Sequence, residues 1–368
     1  MLLSAALIVR DEQAHLGACL ASLHGLVDQV VVVDTGSVDD TPAIARSHGA
    51  EVLEVAWRDD FAAARNRALE AADGDWILYI DADERLVADD ELRRVLAGPA
   101  ARHAVAGLVL FRAATRWTPY REHRLFRNRP DLRFHGAIHE SVVGDIDRIV
   151  ADEGATVIEV PARIDHLGYD GDLTAKRRRN LPMLETAVTR DPARAYLWFD
   201  LGLSRLGLGD AEGAERAWSE GVRNLRERHR MGPVELLLWG ELALLRLRTG
   251  GPADELCDEM TRAFPDDPLT LWVRANQAMA ELRWDDARCP LEALVAIDAD
   301  ALEHPVIAYD RGLFGEWAYQ ALGAVHFHLG DDAEAARWFA AAAAAAPDNP
   351  EYALKHRLAA ARAGSALV

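Results

Sequence analysis

Four strand-like runs, joined by stretches with helical spacing and ending in polar residues, constrain this chain more than any other feature. Leu2 to Val9 is apolar apart from Ser4, Glu12 to Leu26 carries Leu16, Cys19, Leu20 and Leu23 on one helical face, and Val30 to Val33 is apolar again. Asp39 can cap a helix running to about Ser47, Gly49 closes it, and Glu51 to Val55 reads as a third strand. Phe61 to Ala72 has helical spacing and Asp73-Gly74 turns the chain. Trp76 to Ile80 then forms a fourth strand that ends abruptly in Asp81-Ala82-Asp83-Glu84. Apolar strands connected by helices predict a mostly parallel sheet covered on both faces. Ligands of such sheets bind beyond the carboxyl ends of the strands, where these acidic residues fall.

From about Thr174 onward the strand signals vanish. Pro192 to Gly209, with Leu197, Trp198, Phe199 and Leu201, is followed by Asp210 and an amphipathic stretch through Ala214, Ala217 and Val222. The same grammar returns at Trp317, Leu322-Gly323, Leu329-Gly330-Asp331 and Ala335 to Phe339, and ends at Pro347. This pairing resembles the tetratricopeptide repeat of about 34 residues. Two weaker copies fit between, Val234 to Phe264 with a turn at Gly250-Gly251 and Leu269 to Ile297 with a turn near Trp284-Asp285. Spacings of 41, 34 and 46 between the turns at 209, 250, 284 and 330 make the repeat degenerate, and an irregular helical bundle is the plainer alternative.

The change of period divides the 368 residues into an α/β domain over 1–172 and a helical domain over 173–368. The net charge of 41 − 60 = −19 works against a general nucleic-acid-binding role. Cys19, Cys257 and Cys289 lack metal-ligand spacing and are expected to pack in the core of a protein from a reducing, cytoplasmic compartment. The opening MLLSAALIV has no basic residue before it and meets Arg10-Asp11-Glu12 at once, so it reads as a buried strand rather than a signal segment. No apolar run approaches the roughly 18 residues of a membrane span.

Two carboxylates at a strand end, Asp81 and Asp83, are hard oxygen ligands of the kind that suit Mg²⁺ or Mn²⁺ beside a diphosphate; a solvated turn is the plain alternative. Val31 to Val33 leads into Asp34-Thr35-Gly36-Ser37-Val38-Asp39, which places a carboxylate at another strand tip, able to accept from a base imide or a ribose hydroxyl; by itself the run reads equally as a helix-capping turn. Arg65, on the helix before the Asp81 strand, can pair with a phosphate or a nucleobase, or simply with Asp60 or Glu70.

The order LIVRDE, VVVDTGSVDDT and FAAARNRALEAADGDWILYIDADE resembles the family 2 glycosyltransferases of the GT-A fold, which use nucleotide-sugar donors; Asp11 departs from the asparagine usual there. Arg124-Leu125-Phe126-Arg127-Asn128, Phe134-His135-Gly136-Ala137-Ile138-His139-Glu140, Ile164-Asp165-His166-Leu167-Gly168-Tyr169 and Lys176 to Asn180 extend the likeness. They are similar to the branch fused to tetratricopeptide-type repeats, in which the position of Leu167 is often aromatic.

The resemblance implies a GT-A, Rossmann-like, mixed but mostly parallel sheet followed by an all-α helical domain, and a metal-dependent, inverting hexosyltransferase using Mn²⁺ or Mg²⁺. Asp83 is then the metal ligand, with Asp81 facing the ribose or the metal's water shell. His166, at the end of the strand-like run from Thr156, becomes a third contact; a hydrogen-bonded domain-junction histidine is its plain alternative. Glu140 is the expected base, with His139 as its rival. Asp34, Arg65, Asp81 and Arg127 fall to the donor. Arg121, Arg124, Arg127, Arg129 and Arg133 make a basic loop able to close over a diphosphate, or to pair with surface acids. A nucleotide-sugar donor, UDP-linked by resemblance, is the expected partner. The acceptor is left open among small molecules, glycans, lipid-linked sugars and peptides, and the helical half suits either a peptide groove or a homodimer interface. Two other classes compete: an inactive repeat scaffold, and a nucleotidyltransferase, which would need a glycine-rich phosphate loop where Arg10-Asp11-Glu12 stands.

Overall fold

A computed structural model of the chain describes residues 1–113, 116–168, 173–227, 231–303 and 306–365; Tyr169, the last residue of one quoted motif, lies outside them. Two compact units emerge. The first holds the chain to Arg190 other than residues 116–118, together with Val306, and the second holds Arg116–Thr118 and the rest.

The first unit is built on one sheet. β1 (Leu3–Val9), β2 (Gln29–Asp34), β3 (Glu51–Glu54) and β4 (Trp76–Tyr79) are the four strands expected, linked by α1 (Leu16–Leu23), α2 (Thr41–Ser47) and α3 (Phe61–Ala71). β5 (Glu84–Ala88), α4 (Asp90–Ala97), β6 (Ala104–Ala113), β7 (Tyr120–Arg127), α5 (Val143–Glu153), β8 (Thr156–His166) and α6 (Thr174–Arg190) complete it. The strand order is β3-β2-β1-β4-β7-β6-β8-β5. β3, β2, β1 and β4 are parallel, as are β6 and β8, whereas β7 runs against both β4 and β6, and β5 against β8.

Alternate residues of β1 explain why both faces are covered. Leu3, Leu7 and Val9 pack with Leu16 and Leu20 of α1 and Leu92 of α4 on one face, and Ala6 packs with Ala68 and Leu69 of α3 and Ile146 of α5 on the other. The basic stretch expected as a loop is instead largely β7. Tyr120-Arg121-Glu122-His123-Arg124 carries no apolar alternation, so its strand character comes from pairing with β6 rather than from its own pattern. Cys19 and Cys257 are buried as expected, but Cys289 is exposed on its helix and takes no part in the core.

The second unit is a series of helical pairs: α7 (Ala195–Gly207) with α8 (Ala211–Arg226), α9 (Pro233–Thr249) with α10 (Asp254–Ala263), α11 (Pro268–Ala280) with α12 (Trp284–Val295), and α13 (Glu316–Leu329) with α14 (Asp332–Ala345), then α15 (Pro350–Ser365). Gly209, Gly250 and Gly330 make three of the inter-helix turns in the left-handed conformation; Leu282, two residues before the expected turn, makes the other with φ of 60°. Asp210 and Asp331 cap α8 and α14 through their side chains, whereas Arg283 at the matching position makes no side-chain cap. Gly202 stands eight residues before Asp210 and Trp218 eight after it. The indole fills the space a side chain at Gly202 would need, its Nε1 only 1.9 Å from where a Cβ would stand.

Candidate active site

Strand direction gathers the expected site residues. β7 is antiparallel to β4, β6 to β7, and β8 is parallel to β6, so β8 runs the same way as β4. Asp34 at the end of β2, Asp81 to Asp83 after β4, and His166 at the end of β8 therefore share the carboxyl edge of one sheet. The same logic removes Arg127. It closes the antiparallel β7 and pairs in register with Trp76, the first residue of β4, at the opposite edge. There its guanidinium lies 4.1 Å from the Trp76 ring centroid and bonds the Ala101 and Ala104 carbonyls. The structure thus corrects the expectation that Arg127 binds the donor.

Asp34 is 3% exposed. Its Oδ1 accepts from the Gly36 and Ser37 amides, both at 2.9 Å, while Oδ2 is buried without a hydrogen-bond partner. A hollow of about 530 Å³ opens beside it, lined by Gly36, Ser37, Asp39, Arg46 and Val55 among others. The loop after β1 is stitched to this wall. Asp11 Oδ1 accepts from the Val38 amide at 2.8 Å, and the Asp11 and Glu12 amides donate to Ser37 Oγ and Thr41 Oγ1. An aspartate at position 11 therefore supplies the same acceptor that an asparagine would.

Arg65 is the hub. Asp60 caps α3 by accepting from the Ala63 amide, which aims the first turns of the helix at the rim. Arg65 is only 7% exposed, and its Nε donates to Glu140 Oε1 at 2.5 Å while a terminal nitrogen donates to Asp81 Oδ1 at 2.8 Å. It is not the surface partner of Asp60 or Glu70; Arg67 takes Glu70. Glu140 arrives on a loop closed by reciprocal His135–Ser141 backbone bonds and anchored to α3 by Phe61 N–H donating to the Ala137 carbonyl. His139 precedes it with φ of 52°, a left-handed conformation that histidine adopts more readily than most residues. Burial opposes the charged form of Asp81, but the positive charges of Arg65 and Arg124 outweigh it and hold the carboxyl below its ordinary range.

Asp83 and His166 meet as Oδ2 and Nε2 at 3.1 Å, each side chain about 35% exposed. Burial disfavours the ionised Asp83, yet the hydrogen bond and charge of His166 lower its carboxyl, and Asp83 in turn raises the imidazole. Among the described residues no group of three or more histidine, cysteine, aspartate or glutamate side chains forms a cation cage. The Asp83 carboxylate is an oxygen donor of the kind Mn²⁺ or Mg²⁺ takes beside diphosphate oxygens and water, and the His166 imidazole stands next to it as a nitrogen donor.

Sequence reasoning missed the contacts behind these residues. Glu84 and Arg124 are 1% and 6% exposed, and the guanidinium forks onto the carboxylate at 2.9 and 3.1 Å. Glu122 also bonds Arg124, and Arg124 and Arg65 lie 4.6 and 5.0 Å from the Tyr79 ring centroid. Burial pushes the Glu84 carboxyl up against the pull of Arg124. The only signal was Glu84 completing the acidic turn and Arg124 inside a quoted motif. The remaining basic residues are structural: Arg121 pairs with Glu159, Arg129 with Asp131 and Glu153, and Arg133 bonds the Arg129 and Leu132 carbonyls.

Residues 4–147 match the family model described as glycosyl transferase family 2. A TPR repeat-containing protein of Synechococcus elongatus is 41% identical over 260 residues, 67% of this chain and 62% of that protein. The glycosyltransferase SunS of Bacillus subtilis is 26% identical over 211 residues, 53% of this chain and 47% of its own. The chain thus spans less than two thirds of either curated relative. Among solved structures, S. aureus TarS 1-349 in complex with UDP-GlcNAc aligns with a TM-score of 0.42 and 16% identity, covering 72% of this chain and 92% of that one.

Proposed function

We propose that the chain, whose residues 4–147 match the glycosyl transferase family 2 model and are followed by tetratricopeptide-like helices, transfers a hexosyl group from a UDP-sugar to an acceptor, with inversion and with Mn²⁺ or Mg²⁺ bound. The observation that supports this reading is the shared rim, where Arg65 links Asp81 to Glu140 on the edge that also carries Asp34, Asp83 and His166. Asp34 Oδ2, buried and unpartnered beside the hollow, suits the imide N–H of a uracil. Asp83 and His166 would hold the divalent ion, which when bound would supply positive charge against the departing diphosphate. Glu140, oriented by Arg65, accepts the proton of the acceptor hydroxyl or thiol as its oxygen or sulfur bonds the anomeric carbon. The bond from that carbon to the diphosphate oxygen breaks, and its electron pair leaves on the nucleoside diphosphate. One displacement without a covalent sugar–enzyme stage inverts the centre.

The TPR repeat-containing relative favours a second reading, a scaffold without activity. Incubation with a panel of nucleotide sugars and Mn²⁺ or Mg²⁺, followed by assay of free nucleoside diphosphate, separates the two. The transferase releases it from one donor, loses that activity in Asp83→Asn, and in Glu140→Gln binds the donor without turnover. Release from no donor would leave the scaffold; wild-type rates in Glu140→Gln would remove Glu140 as the base.

A further inference from the structure

We propose that the buried Glu84–Arg124 pair is the positioning device of the rim, fixing the Asp81–Asp83 turn and thereby setting how tightly Asp83 and His166 hold a divalent cation. This rests on the donor-site reading above and adds residues to it. Glu84 does three things at once. Its Oε2 accepts from the Asp81 amide at 2.8 Å, its own amide donates to the Asp81 carbonyl at 3.1 Å, and as the first residue of β5 it pairs in register with His166 of β8. The Leu167 amide donates to the Asp83 carbonyl at 3.1 Å, so the turn and the histidine strand are tied on both sides of the same residue. A shift of the Glu84 carboxylate therefore moves Asp81, Asp83 and His166 relative to one another.

Arg124 fixes that carboxylate. Its fork takes both Glu84 oxygens, Glu122 holds its Nε, Tyr120 O–H donates to Glu122 at 2.7 Å, and the guanidinium lies over Tyr79, the residue that ends β4 before the turn. A buried ion pair contributes little net stability compared with apolar residues of the same volume. Stability alone does not account for a pair at this depth, whereas the Asp81 amide and the His166 register give it a specific task. A lysine at 124 keeps the charge but not the planar fork.

The test uses Arg124→Lys and Glu84→Gln in the full chain, with Mn²⁺ binding in the presence of UDP followed by electron paramagnetic resonance of the free ion and by thermal stabilisation, alongside UDP-sugar hydrolysis. Each folded variant is expected to bind Mn²⁺ about tenfold more weakly, as for residues that orient metal ligands, and to recover hydrolysis when Mn²⁺ is raised. Wild-type Mn²⁺ affinity in either folded variant overturns the positioning role, even where the unfolding midpoint has dropped. If the wild-type chain itself takes up no Mn²⁺ with UDP, the donor-site reading fails first and this inference falls with it.

Discussion

The two units handle burial in opposite ways. The charged residues buried most deeply, Asp34, Arg65, Glu84 and Arg124, all belong to the sheet unit, while the buried polar residues described in the helical unit are Thr118, Ser204 and Thr270, each with only a hydroxyl. Helices that meet through side-chain shape need no charge inside. A rim that keeps carboxylates and guanidiniums partly out of water must pair each of them. Within the rim, Asp34 Oδ2 and one terminal nitrogen of Arg65 are buried without a hydrogen-bond partner; in the helical unit the Thr270 hydroxyl is likewise buried without one.

If that contrast is real, the largest loss of stability should come from breaking a charge network. Arg65→Met, which leaves Asp81 and Glu140 without their shared partner, is expected to cost about 3–5 kcal/mol in urea unfolding; a loss within error of zero would mean the network is not stabilising the rim. The helical unit should respond to shape instead. Gly202→Ala pushes a methyl group into the Trp218 ring and should cost about 1–3 kcal/mol by overpacking, although alanine is the better helix former by about 1 kcal/mol. A gain in stability would show that the indole has room to move. The smallest effect sits at the third repeat turn. Leu282 is 70% exposed and has the positive φ that Gly209, Gly250 and Gly330 adopt without strain. Leu282→Gly should therefore raise stability by about 1 kcal/mol, and a fall would assign the leucine a contact of its own.

Much of this was legible from local pattern. β1, β2 and β4 announced themselves because strands buried on both faces are mostly apolar, and the turns at Gly209, Gly250 and Gly330 because glycine marks a left-handed residue; β3 is a short, half-exposed edge strand. Leu282-Arg283 makes the third turn two residues before the position expected from Trp284-Asp285, since neither residue carries the turn or cap chemistry of Gly-Asp. β7 hid because Tyr120 to Arg124 is polar on both faces, and with it went the direction of the strand. Without that direction Arg124 and Arg127 are equivalent in the sequence; the antiparallel register carries Arg124 to the rim and Arg127 to the opposite edge. Arg65 was recognised as a candidate anion partner, but its link between Asp81 and Glu140 joins residues 16 and 75 positions away, which no local window contains.

On the proposed reading, the carboxyl edge of this sheet binds a nucleotide through Asp34. Calorimetric titration of UDP with Mn²⁺ into the wild-type chain and into Asp34→Asn tests it directly. The substitution keeps an oxygen for the Gly36 and Ser37 amides but replaces the unpartnered acceptor with a donor. One UDP site is expected in the wild-type chain, weakened about tenfold to a hundredfold in the variant, the range for losing a hydrogen bond to a charged group. No UDP binding, or equal affinity in the two proteins, would contradict the account.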